Sequence, residues 1–168
     1  MNLEHEVELG STTVQIGNWK KEADECWALS TQTTRITTIL EIGLSESSRR
    51  LALEAREWLE TRDSLVQVAI TLKIDRDIPK ITIKCWELCA GQYSISTRAS
   101  PASASCTDEI SITNQNNITV VSRDLSLPFQ KVVGRAVDPN NNLERDFLIT
   151  RRSLRRVAER VWRRQGFI

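Results

Sequence analysis

Histidine is almost missing from these 168 residues: His5 is the only one. It lies in an N-terminal stretch expected to be mobile, so neither a Ser-His-Asp triad nor a histidine-ligated metal centre is expected. Cysteine is sparse and badly spaced for metal. Cys26, Cys85, Cys89 and Cys106 contain no C-x-x-C pair, match no common zinc framework, and read as buried free thiols. Charge of one sign is lacking too, with 23 Lys and Arg against 22 Asp and Glu, a net charge of +1. Overall charge therefore says nothing about partners; only its distribution can. No run approaches the ~20 apolar residues of a membrane span. The acidic opening from Met1 to Glu8 has no apolar signal-peptide core. An intracellular protein, cytoplasmic or nuclear, with no membrane partner is the expectation. What remains is 40% hydrophobic and 27% charged, the balance of a soluble folded chain. Its length suits one domain able to bury about 70% of its unfolded surface.

Periodicity then places the elements. Ser11 to Trp19 and Glu22 to Leu29 read as strands. Arg35 to Gly43 is a clearer one, with Ile36, Thr38, Leu40 and Ile42 on one face and Ile39 and Glu41 on the other. From Ser47 to about Thr61 the period changes: Leu51, Ala55, Trp58 and Leu59 recur at i, i+4, i+7, i+8, an amphipathic helix that Ser47 or Ser48 can cap. Val66 to Ile74 alternates perfectly, turns at Asp75 to Pro79, and returns through Ile81, Ile83 and Cys85 as a hairpin. Ser94 to Thr107 is Ser/Ala-rich and is expected to be a mobile loop. Ile110 to Val121 predicts a second hairpin, Asp138 to Asn142 a turn, and Arg151 to Gln165 a closing helix between Thr150 and Gly166. The expected fold is a single α+β domain, 1–168, with a mixed sheet of four or five strands flanked by helices. Its five tryptophans read as core, not as platforms for bases.

Glu41 stands out chemically. A carboxylate amid Ile39, Leu40 and Ile42 is costly unless a cation, a metal or a proton compensates it. Asp24 lies on the neighbouring candidate strand beside Lys20 and Lys21. Two acids on adjacent strands can hold Mg²⁺ at the rim of a sheet while leaving positions for phosphate oxygens and water. The bland account is an ordinary ion pair for Glu41 and a turn at Asp24.

Several ordered blocks narrow the choice: Lys21-Glu22-Ala23-Asp24-Glu25-Cys26-Trp27, Glu41-Ile42-Gly43-Leu44-Ser45-Glu46-Ser47, Ala55-Arg56-Glu57-Trp58-Leu59, and the following hairpin to Trp86. Together they resemble the fungal branch of the PD-(D/E)XK, restriction-endonuclease-like proteins, with its K-E-P-D-x-S-W, E-V-G-x-S-E-S and D-A-x-x-W-L segments. The run from Asp146 to Trp162 is loosely similar to that family's closing helix. The resemblance implies a restriction-endonuclease-like core and a nuclease site: Asp24 and Glu41 binding Mg²⁺ or Mn²⁺ and stabilising the phosphate as it is attacked. Three departures accompany it. Ala23 replaces the proline, Gly43 stands where the motif lysine belongs, and little chain precedes Ser11 to supply the family's first helix. Lys21, Arg50 or Arg56 could provide the missing charge, an arginine only electrostatically. Pairing of Arg50 with Glu54 and of Arg56 with Glu60 is the structural alternative. Glu46 suits a helix N-terminus or the neighbourhood of the metal.

The last helix carries Arg151, Arg152, Arg155, Arg156, Arg160, Arg163 and Arg164 against Glu159 alone. Arg151, Arg152, Arg155, Arg156 and Arg163 are the candidates for phosphate contact; a solvated face pairing with acids such as Asp146, or a nuclear-import signal, would look the same. The expected function is metal-dependent hydrolysis of phosphodiester bonds in nucleic acid. The alternatives are an inactive nuclease-fold module that binds nucleic acid or protein, and a protein-interaction domain using its strand edges.

Overall fold

A computed structural model describes residues 6–16, 18–29, 35–90 and 102–168; His5 and the stretch 94–101 lie outside them. Three strands form a meander: β1 (Glu6–Ile16), β2 (Trp19–Leu29) and β3 (Ile36–Leu44), each antiparallel to the one before. Gly10, with φ of 65°, sits between two register shifts that bulge β1 against β2, a conformation that glycine adopts at no steric cost. β3 ends at Ser45 (φ 71°), and the Ser47 hydroxyl accepts the Arg50 amide proton at 3.2 Å to cap α1 (Ser48–Glu60). β4 (Val68–Ile74) then runs parallel to β3, with Thr71 opposite Glu41. Parallel neighbours need a crossover, and α1 is that crossover.

Asp75 Oδ1 accepts the amide protons of Asp77 and Ile78 at 2.9 and 3.2 Å, turning the chain into β5 (Lys80–Cys89). β6 (Ser103–Gln115) pairs along β5, and β7 (Ile118–Val121) follows a turn whose Asn116 and Asn117 both have positive φ, which asparagine tolerates. The sheet order is β1-β2-β3-β4-β5-β6-β7. The expected four or five strands are thus seven in one sheet, because every hairpin read from the sequence joins it. Ser103 to Thr107, expected in a loop, open β6. There Ala104 is 2% exposed, and its amide donates to Glu60 Oε1 at 2.8 Å. Small residues are what a strand lying under α1 has room for.

Two cores result. Ala23, Cys26, Ile39 and Ala69 pack with Ala55, Trp58 and Leu59 of α1 on one face. On the other face Ile70, Ile81, Ile110 and Ile112 pack with Leu154, Ala158 and Trp162 of α3 (Arg151–Gln165), with β8 (Leu125–Leu127), and with Val132 of α2 (Phe129–Val133). β8 pairs with β9 (Phe147–Ile149) in a separate two-stranded ladder that the sequence did not announce. Trp58 and Trp162, each fully buried, anchor the two cores; truncating either to alanine costs about 3–5 kcal/mol by precedent. α3 is capped by Thr150, and it stops at Gly166 (φ 81°), where the Phe167 amide donates to Trp162 O at 2.9 Å. α1 and α3 therefore lie on opposite faces of the sheet.

Candidate functional site

Ile39 and Glu41 share the α1 face of β3, so the chain's apolar alternation carries a carboxylate into the core. Glu41 is only 6% exposed. Trp58, one of the apolar positions of α1, turns its indole nitrogen toward β3 and donates to Glu41 Oε1 at 2.5 Å. Lys21 of β2 places Nζ 3.5 Å from the same oxygen and 3.4 Å from Glu57 Oε2. The ammonium also lies 5.5 Å from the centre of the Trp58 ring, within reach of a cation–π attraction. Trp19 packs edge-on against that ring at 4.8 Å. Burial pushes the Glu41 carboxyl up from its ordinary value, the Trp58 hydrogen bond and Lys21 pull it back, and Glu54 and Asp24 push it up again.

Asp24 is exposed, and its Oδ2 accepts the backbone proton of Ile42 at 2.6 Å. The β2–β3 ladder ends at Glu25 opposite Leu40; one step further along, a side chain takes over the work of the backbone. Asp24, Glu41 and Lys21 thus meet at one seam, where two neighbouring strands begin to part. Among the described residues the second oxygens, Asp24 Oδ1 and Glu41 Oε2, carry no hydrogen bond.

Gly43 explains its own presence. A Cβ there would lie 2.9 Å from Leu51 Cδ1 and 3.1 Å from Glu46 Cβ, and Leu51 is 3% exposed. Any side chain at that position would force buried Leu51 and the neighbouring Glu46 to shift, and a lysine would force more. Among the described residues the one ammonium that reaches Glu41 comes from β2 instead.

Neither helix arginine pairs with Glu41. Arg50 Nε lies 3.1 Å from Glu54 and 3.8 Å from Glu46, and exposed Arg56 makes no ion pair among the described residues. Glu46 is thereby tied to Arg50. Beside the seam, a groove of about 540 Å³ runs along α1, lined by Lys20, Lys21, Arg49 and Arg50, by the acids Glu54 and Glu57 that pair with Arg50 and Lys21, and by Trp19. Lys20 and Arg49 have no acidic partner among the described residues.

No family model, curated protein or solved structure matches the chain.

The donor set can still be tested against the cation expected from the sequence. Among the described residues no three His, Cys, Asp or Glu side chains cluster as a metal cage. Two carboxylates with one unbonded oxygen each are too few for an ion that needs a full protein cage; in number they suffice only for an ion that keeps most of its shell for water and phosphate, as Mg²⁺ does. Trp58 is the participant that sequence reasoning missed. It was rightly placed in the core, but an indole buried opposite a buried acid needs an acceptor, and that was the available signal. Of the α3 candidates, Arg151 pairs with Asp124 at 3.5 Å, while Arg152, Arg155, Arg156 and Arg163 are exposed and unpaired among the described residues. Asp146, expected to face them, instead accepts the Phe129 amide proton at 2.8 Å. These arginines lie across the sheet from Glu41. Among the described residues no helix is long and apolar enough to cross a membrane.

Proposed function

We propose that this protein is a metal-dependent phosphodiesterase acting on nucleic acid, with a restriction-endonuclease-like core in which Lys21 replaces the missing motif lysine. The contact of Lys21 with Glu41 at 3.5 Å, beside Asp24 and at the edge of a groove that also holds Lys20 and Arg49, cations unpaired among the described residues, carries the reading. The meander and crossover support it, since they put two acids on adjacent strands. Mg²⁺ or Mn²⁺, held by Asp24 and Glu41, would supply Lewis-acid polarisation of a phosphoryl oxygen. Trp58 fixes the Glu41 carboxylate in one orientation, so that its free oxygen stays aimed. Lys21 stabilises negative charge developing on the phosphate under attack. Lys20 and Arg49 hold flanking phosphates by charge.

One observation favours a second reading. Lys21 and Trp58 between them already compensate Glu41, and a site satisfied in this way can bind nucleic acid without cutting it. Plasmid nicking with Mg²⁺ or Mn²⁺, against an EDTA control, separates the two. Hydrolysis requires cutting by the wild type that falls at least about a hundredfold in Lys21→Ala, Glu41→Gln and Asp24→Asn, the scale on which one electrostatic group acts. Retention of plasmid without any nicking would discard the hydrolytic reading and keep the binding one.

A further inference from the structure

α3 concentrates charge on a surface that the seam does not use. Its inner stripe, Leu154, Ala158 and Trp162, is buried. Its outer surface shows Arg152, Arg155, Arg156, Arg160, Arg163 and Arg164, all exposed and none in an ion pair among the described residues. Glu159 is the only acid on the helix, in a chain whose net charge is +1. Arg152 with Arg156, Arg156 with Arg160 and Arg160 with Arg164 are like charges four residues apart, each pair unfavourable by about 0.2–0.5 kcal/mol. Arg151 and Arg152 add to this by opposing the dipole in the first turn. A face that repels itself is relieved by a polyanion.

The chemistry narrows the choice of polyanion. All seven cations of α3 are arginine, none lysine, and the planar guanidinium fork matches phosphate oxygens two at a time. Arg152, Arg156 and Arg163 lie close to one line along the helix, about 16 Å from first to last at 1.5 Å per residue. One strand of a duplex presents about five phosphates over that length. A lipid surface fits poorly, because binding in a bilayer interface needs an apolar face and that face is spent on the core.

We infer that the arginine face of α3 is a docking surface for the phosphodiester backbone of nucleic acid, independent of sequence, of divalent metal and of the groove beside α1. It stands whether or not the Lys21 seam cuts, and each molecule then offers two phosphate-binding surfaces on opposite sides of one sheet.

The test is fluorescence anisotropy of a labelled 20-base-pair DNA duplex and its RNA counterpart, in EDTA, over a range of salt concentrations. The variants are the triple Arg152→Gln, Arg156→Gln, Arg163→Gln and the matching triple to lysine, with Arg62→Gln, a 96% exposed arginine just beyond α1, as charge control. Binding should weaken at least about tenfold in the glutamine triple at 0.1 M salt. The slope of log affinity against log salt should fall in magnitude by about three, one phosphate contact for each arginine. The lysine triple should keep that slope, and Arg62→Gln should bind as wild type. All substituted positions are exposed, and thermal melts will show that each variant is folded. An unchanged slope in the glutamine triple overturns the inference. So does a wild type that ignores both duplexes yet binds polyglutamate or anionic vesicles through these arginines, which would assign the face to an acidic protein or a lipid surface. Because EDTA is present throughout, failure to cleave plasmid leaves this result untouched.

Discussion

Replacing Glu41 tests how the seam is held together. In Glu41→Gln the amide oxygen can still accept the Trp58 indole proton, now 2.5 Å from Oε1, and only the charge is lost. In Glu41→Ala the acceptor goes as well, leaving a buried N–H with no partner at about 1–3 kcal/mol. Lys21 keeps Glu57 in both variants. The alanine variant should therefore be the less stable of the two by about 1–3 kcal/mol, near 3–9 °C in Tm if a domain of this size shifts about 3 °C per kcal/mol. The pH dependence has a definite sign. Burial raises the Glu41 carboxyl above its unfolded value, so the folded chain binds more protons in that window and loses stability as pH rises through it. Relative to Glu41→Gln, the wild type should lose ground from about pH 4.3, the ordinary glutamate value, up to the raised folded value, and no further. Urea titrations of the three proteins at several pH values measure all of this. Equal losses in the two variants, or a wild type that gains on Glu41→Gln with rising pH, would refute the account of the seam.

Three other outcomes follow from the structure. Gly43→Ala should destabilise by about 1–3 kcal/mol through overpacking against Leu51, and Gly43→Lys by more, without restoring any cutting; a denaturation curve matching wild type would contradict the tight approach of α1. Cys85, buried with its thiol pushed up to about 12, should resist alkylation at pH 8 while exposed Cys106 reacts, and equal labelling of the folded protein would count against this. Glu144 lies 2.5 Å from Arg135 and is held down at about 2, first by that hydrogen bond and then by the Asp138 amide. Its stabilisation is present above the ordinary value of about 4.3 and disappears as pH falls toward 2, so the stability gap between wild type and Arg135→Ala should be flat above about pH 5 and narrower at pH 3.

The elements with a clean period were legible in the chain. β3, α1, β4, β5 and α3 lie where alternation or the i, i+4 stripe puts them, because those patterns record which side meets the core. The strand count of the sheet was underread although β1 and β7 were themselves read as strands, since a segment's own alternation does not say which neighbours it pairs with or that all seven join one sheet. β8 and β9, three residues each, have no length in which a period could show. Of the site, Asp24, Glu41 and Lys21 were legible as types of residue on neighbouring strands. That Lys21, and not Arg50 or Arg56, reaches Glu41 depends on side-chain direction and on a gap of a few ångströms above Gly43, which no linear pattern encodes.

The bulge in β1 has a consequence for self-association. An edge strand exposes free backbone donors and acceptors that another copy could extend into a fibre. Here the two register shifts around Gly10 break that row into mismatched pieces, whereas on the opposite side β7 covers only Ile112 to Gln115 of the longer β6. The β1 margin is therefore no straight template, so at high concentration cross-β growth should not start from that rim.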